Sequence, residues 1–253
     1  MKFIFFDFIV LKQYFLLSLH FENWYYGSNN KDGHLMIKQF TFNHFEVNSY
    51  LIIDDRVPTA GEKRQCAIVD PACEASFEDA QLTQYIEQEQ LQVTHILLTH
   101  AHVDHIAGLR QCCEHYKLPV TMHAEGSHLL RQAEVYGSLM GFAVDNMDDL
   151  EVVEINDNDL LHIGNIEVEC RYVPGHCPGS ICYVVASDKA VISGDALFHF
   201  SIGRTDLPGG DYPTLISKLK ERILVLPDDY RVLPGHGIAS QIGKEKKYNS
   251  FLV

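Results

Sequence analysis

Positive charge is scarce in this sequence. Twenty lysines and arginines face 34 aspartates and glutamates, for a formal charge of −14 at pH 7. Such a field repels phosphate backbones and anionic lipid surfaces, so neither a nucleic acid nor a membrane is an expected partner. Cys-x-x-Cys pairs are absent too. The seven cysteines (66, 73, 112, 113, 170, 177 and 182) are odd in number, in a chain of 253 residues that needs no staples. This usage predicts the reducing cytoplasm. A clean apolar run is also missing: Asp7, Lys12 and Glu22 interrupt the aromatic-rich head, and no small-residue cleavage site follows it. Neither a bilayer span nor a secretory signal is predicted. With no repeat or low-complexity run and 46% apolar residues, the chain is expected to build a full core.

The polar, turn-rich run Tyr26 to His34 marks a boundary. Residues 1–35 read either as an upstream extension from a misassigned start or as an added helix on the domain, and residues 36–253 as one catalytic domain. Strands are predicted at 37–42, 47–53, 66–70, 93–98, 120–123, 160–163, 166–173, 181–186, 190–193 and 231–233, from alternating or β-branched apolar runs. The Gly164-Asn165 pair between two such runs signals a hairpin. Helices are predicted from Ser76, with Asp79 completing a cap, to about Leu91, over 104–117, over about 126–136, and from Tyr212-Pro213 to about Leu224. The stretch 142–149 reads as irregular. Two sets of strands with interspersed helices predict an α/β fold of two mixed sheets covered by helices.

The chemistry concentrates in Thr99-His100-Ala101-His102-Val103-Asp104-His105, directly after a buried strand. Side chains two apart on extended chain point the same way, so His100 and His102 can grip one ion. The turn into the following helix redirects Asp104 and His105 toward a second. Further donors follow predicted strands beside glycines: His176 after Gly175, Asp195 after Gly194 and His236 after Gly235. Imidazole and carboxylate donors without thiolate suit zinc, iron or manganese in an open, catalytic site.

In this order of segments the chain resembles the metallo-β-lactamase fold superfamily, over essentially residues 36–253. The resemblance implies an αββα sandwich with two divalent metal ions, zinc foremost, at one rim. It assigns His100, His102 and His176 to the first ion, Asp104, His105 and His236 to the second, and Asp195 to both. Ile181-Cys182-Tyr183, Ser193 to Phe198 and the run Ser201 to Asp211 are similar to the glyoxalase II group, and within it to the short YcbL-type hydrolases. The implied activity is hydrolysis of a small-molecule thioester, of the hydroxyacylglutathione hydrolase type, by a metal-bridging hydroxide, with Asp104 also accepting a proton. The helical domain that typical glyoxalase II enzymes use to hold glutathione has no counterpart in the stretch after His236, so glutathione recognition is expected to be weak. The alternative is a persulfide dioxygenase, with a single iron on His100, His176 and Asp195. An exported β-lactamase, a nuclease and a metal-stabilised binding module fit less well. Cys177 stands where serine or threonine is commoner, and His44 and Ser250 replace prolines of Asn-Pro-Phe patterns. Asp70 is a candidate to orient a ligand histidine. Arg204 and Asp206 either anchor a substrate carboxylate or pair with each other, and His199 and Tyr183 are further candidates for the substrate rim. His123 reads as a rim histidine and not a ligand.

Overall fold

The computed structural model describes residues 36–253 apart from 55, 57, 58 and 60; the expectations for residues 1–35 lie outside the described residues. One sheet runs in the order β1 (Ile37–Phe42), β2 (Val47–Ile53), β3 (Arg64–Val69), β4 (Leu91–Leu97), β5 (Val120–His123), β6 (Val152–Ile155). It is antiparallel through β3 and parallel beyond. The second sheet contains β7 (Leu160–Ile163), β8 (Ile166–Tyr172), β9 (Ile181–Val185), β10 (Ala190–Gly194), β13 (Arg231–Pro234) and β14 (Ser240–Gln241), from one edge to the other. A two-stranded ribbon, β11 (Leu197–Phe198) with β12 (Ser201–Ile202), follows β10. The helices are α1 (Ser76–Gln88), α2 (Leu109–Tyr116), α3 (Ser127–Arg131), α4 (Ala133–Met140), α5 (Tyr212–Lys218) and α6 (Ile242–Tyr248).

Side-chain alternation explains the four layers. On β2, Leu51 and Ile53 face one core with Leu82 and Ile86 of α1, while Tyr50 and Ile52 face another with Val168, Tyr183 and Leu233 of the second sheet. On β9, Cys182 and Val184 turn outward to Leu215 of α5 and Ile242 of α6. Both faces of each sheet are therefore buried, which is why these strands read as continuous apolar runs. The order helix, sheet, sheet, helix is the predicted αββα sandwich.

Local differences have local causes. The helix predicted over 104–117 shortens to α2, because residues 103–108 form tight turns in which the His105 N–H donates to His102 O and the Gly108 N–H to Pro71 O. Helix α1 is capped through Glu78, not Ser76 and Asp79. The Glu78 carboxylate accepts from the N–H groups of Glu74 (2.8 Å) and Ala75 (3.0 Å). The helix predicted over 126–136 divides into α3 and α4 at Gln132. The α5 segment continues as a π turn over Leu219–Ile223, and β6, β11, β12, β14 and α6 were not predicted.

Candidate metal centre

Seven donors meet where strands of both sheets end. His100, His102, Asp104 and His105 follow β4; His176 follows β8, Asp195 follows β10 and His236 follows β13. The donor atoms of His100, His102 and His176 lie within 4.8 Å of one another, as do those of Asp104, His105 and His236, and those of His100, His105 and Asp195. His102 Nδ1 is 2.9 Å from His176 Nε2. Asp195 reaches both groups: its Oδ2 lies 3.7 Å from His176 Nε2 and 3.6 Å from His236 Nε2, and its Oδ1 lies 3.3 Å from His105 Nε2.

Four rings have Nδ1 occupied and Nε2 turned inward. The Thr99 N–H and hydroxyl donate to Asp70 at 2.7 and 2.6 Å, and His105 Nδ1 is 2.9 Å from the same carboxylate. Because the Thr99 hydroxyl proton is committed to Asp70, its oxygen accepts from His100 Nδ1 at 3.0 Å. His176 Nδ1 donates to Arg204 O (2.8 Å) and His236 Nδ1 to Phe45 O (2.9 Å). These partners fix tautomer and ring orientation, as outer partners of metal-binding histidines do. Asp70 itself holds a left-handed backbone, φ 52°, and so aims its carboxylate at Thr99.

Burial and mutual charge set the ionisation. Desolvation, reinforced by His105, holds His100 well below the ordinary 6.5, and burial with neighbouring His176 pulls His102 down to about 4. Burial opposes charge on His105 as well, but the Asp195 and Asp104 carboxylates override it and hold that ring well above 6.5. In turn His105 outweighs the burial of Asp195 and keeps it ionised far below the usual carboxylate range. The result is a pair of ionised carboxylates among imidazoles.

Three buried atoms, His100 Nε2, His105 Nε2 and Asp195 Oδ1, have no hydrogen-bond partner. Orphaned buried polar atoms are costly, and three of them converging among the same donors fit a metal cradle. Backbone leaves room for it: a Cβ at Gly235 would overlap Asp195 Oδ1 and come within 2.7 Å of His105 Cε1. The candidate first-ion residues are thus His100, His102 and His176, the second-ion residues Asp104, His105 and His236, and Asp195 spans the two.

A cavity of about 430 Å³ opens over this floor. His102, Asp104, His176, Asp195 and His236 line its base, Leu129, Ala133, Tyr136 and Met140 of α3 and α4 form a wall, and Phe45, Arg204, Leu207 and Pro208 complete the lining. Tyr183 is displaced from the substrate rim that the sequence suggested. It is fully buried between the sheets, and its hydroxyl donates to Leu98 O (2.7 Å), beside the histidine segment. His199 is absent from the lining; its Nδ1 faces Ser240 Oγ at 3.3 Å. Arg204 and Asp206 form a bidentate pair, both contacts 2.8 Å, which pulls Asp206 down to about 2. Cys177 is buried and its donor atom lies within 4.8 Å of those of His100, His102 and His176; burial pushes its thiol up to about 12. His123 stacks on Tyr172 at 4.3 Å, away from the donors.

Two positioning residues were missed. Asn43 donates through Nδ2 to Ala72 O and Asp104 O, and Asn48 donates through Nδ2 to Pro234 O and Gly237 O on either side of His236. A paired signal was present, two asparagines flanking the β1–β2 turn, but their partners lie up to 189 residues away.

Comparison with known proteins identifies the family. The model of the Metallo-beta-lactamase superfamily matches residues 43–236. The chain is 38% identical to the "Probable metallo-hydrolase YqgX" of Bacillus subtilis, over 82% of this chain and 92% of that protein. It is 34% identical to the "Hydroxyacylglutathione hydrolase GloC" of Haemophilus influenzae, over 82% and 93%. Among solved structures, the BLEG-1 B3 metallo-beta-lactamase superposes with TM-score 0.73 at 32% identity, covering 86% of this chain and all of that one. TTHA1623 in a di-iron-bound form gives 0.72 at 32%, covering 85% of this chain and all of that one. Matched in sequence across its donor segments and in fold across both sheets, the chain belongs to the metallo-beta-lactamase superfamily.

Proposed function

We propose that this chain is a metal-dependent thioester hydrolase of the hydroxyacylglutathione hydrolase type, with His100, His102, His176, Asp104, His105, His236 and Asp195 holding two divalent ions, zinc foremost. The observation that carries this reading is the convergence of His100 Nε2, His105 Nε2 and Asp195 Oδ1, buried and without a hydrogen bond, with the remaining donors at the floor of one cavity. When bound, such ions supply an acidified water as nucleophile and Lewis acidity toward a carbonyl. The chain's own residues do the rest. Asp70 orients His105 directly and His100 through Thr99, the carbonyls of Arg204 and Phe45 orient His176 and His236, and Asp104, 3.3 Å from His236 Nε2, is placed to accept a proton. Similarity to GloC favours a thioester, and the Ser201 to Asp211 run favours the short YcbL-type branch. Cytoplasm is the proposed location: all seven cysteines are unpaired and buried, and among the described residues no helix is long and apolar enough to cross a membrane.

The test is elemental analysis of protein purified without added metal, combined with assays of thioester hydrolysis, β-lactam hydrolysis and persulfide-dependent oxygen uptake. Two ions with thioester turnover support the reading. A single iron with oxygen consumption, or β-lactam turnover without thioester turnover, overturns it.

A further inference from the structure

The wall of the cavity is as distinctive as its floor. Leu129 and Ala133 are buried members of the core beneath the first sheet, and Tyr136 packs against that core. Two close approaches pin this wall to the histidine loops. A Cβ at Gly137 of α4 would come within 3.3 Å of Val103, inside the His100 to His105 segment, and a Cβ at Gly179, three residues after His176, would collide with the backbone of Gly126. The wall is therefore a fixed surface with a set distance from the donors. Phe45, Leu207 and Pro208 add further apolar lining.

Cationic recognition is sparse. Among the described residues Arg204 is the only lysine or arginine lining the cavity, and its Nε and Nη2 donate to Asp206, leaving Nη1 outside that pair. A ligand carrying several carboxylates would meet a single cation, two of whose three nitrogens are already paired, on a chain of charge −14. A dedicated site for such a ligand needs convergent polar partners, and an apolar ligand needs the surface that is present.

We infer, on the reading that the site hydrolyses thioesters, that the substrate carries an uncharged apolar arm next to the scissile bond, seated on Leu129, Ala133, Tyr136 and Met140, in place of the charged arms of a glutathione-type peptide. The arm belongs either to the acyl group or to the thiol, and the two are separated by experiment. With the metal-loaded full chain, kcat/KM is measured for one series of N-acetylcysteamine thioesters from acetyl to octanoyl, for a second series of acetyl thioesters of alkyl thiols of rising length, and for lactoylglutathione. Efficiency is expected to rise about fourfold per methylene in one series until the wall is covered, the usual gain for burying a CH₂; the series that rises names the arm. Met140→Glu, at a half-exposed lining position, is expected to flatten that rise. Independently of turnover, calorimetry is expected to show octanoate binding at least tenfold tighter than acetate if the acyl series rises, or hexanethiol tighter than ethanethiol if the thiol series rises. Thioester hydrolysis with no chain-length dependence in either series, or with lactoylglutathione cleaved tenfold faster than every apolar ester, overturns the inference and leaves the proposed function standing. Two bound metals with no thioester cleaved overturns the proposed function itself.

Discussion

At the floor of the cavity, His100, His105, His176 and His236 are each held at Nδ1 by Thr99, Asp70 or a backbone carbonyl, and two glycines, 194 and 235, sit where any side chain would intrude. Along the wall, α4 offers mostly carbon, and its outer face leaves Val135 and Leu139 exposed at 64% and 78%. The floor has many simultaneous constraints, so a change of one atom is transmitted to several donors. The wall is held in place as well, by Gly137 against Val103 and Gly179 against Gly126, but none of its lining side chains is a hydrogen-bond partner of a donor ring. The hydrogen bonds that orient the candidate donors and the apolar lining thereby belong to separate parts of one cavity.

Substitution on the floor should test that separation most severely. Asp195→Ala removes the group that reaches both donor sets, so both metals and activity should fall together, by about a hundredfold or more and thus at or beyond the upper end for outer partners. Retention of two tightly bound ions on elemental analysis would show that Asp195 does not serve both. Asp70→Asn keeps the shape but removes the charge that His105 and Thr99 share. Metal affinity at both positions should drop about 10- to 100-fold in chelator competition, and loss at one position alone would break the proposed link through Thr99. Gly235→Ala pushes a methyl against Asp195 and His105; it should lower stability by about 1–3 kcal/mol in denaturant unfolding, the usual cost of overpacking. An unchanged midpoint would mean that the β13 loop yields more easily than its contacts suggest. On the outer face of α4, Leu139→Ser should change stability by no more than about 0.5 kcal/mol and leave both metal content and the substrate profile intact. A larger effect would mean that the exposed face of the wall also takes part.

The elements legible in the sequence were those with a local signal. The strand at 47–53 coincides with its prediction because the run Tyr50 to Ile53 after Val47 is rich in large apolar and β-branched residues, as a strand buried on both faces requires. The candidate donors that the structure brings together stood out in the sequence because metal ligation needs a narrow set of side chains, and three histidines and an aspartate within six residues are an uncommon arrangement for any structural purpose. Tyr183 was misread because a tyrosine near a predicted site carries no local sign of whether its hydroxyl faces ligand or a backbone carbonyl. The short strands β11, β12 and β14 escaped because two residues establish no period.

By itself the sequence determined the layered fold, the donor types and their order along the chain, since side-chain periodicity and coordination chemistry are properties of neighbouring residues. Tertiary structure alone decided how closely the candidate donors approach one another, that Asp70 serves His100 and His105 together, that Asn48 holds the loop of His236, and that Leu129, Ala133, Tyr136 and Met140 form an apolar wall beside them. Those facts depend on contacts between segments far apart in the chain, whose approach is set by the packing of both sheets and not by any local pattern.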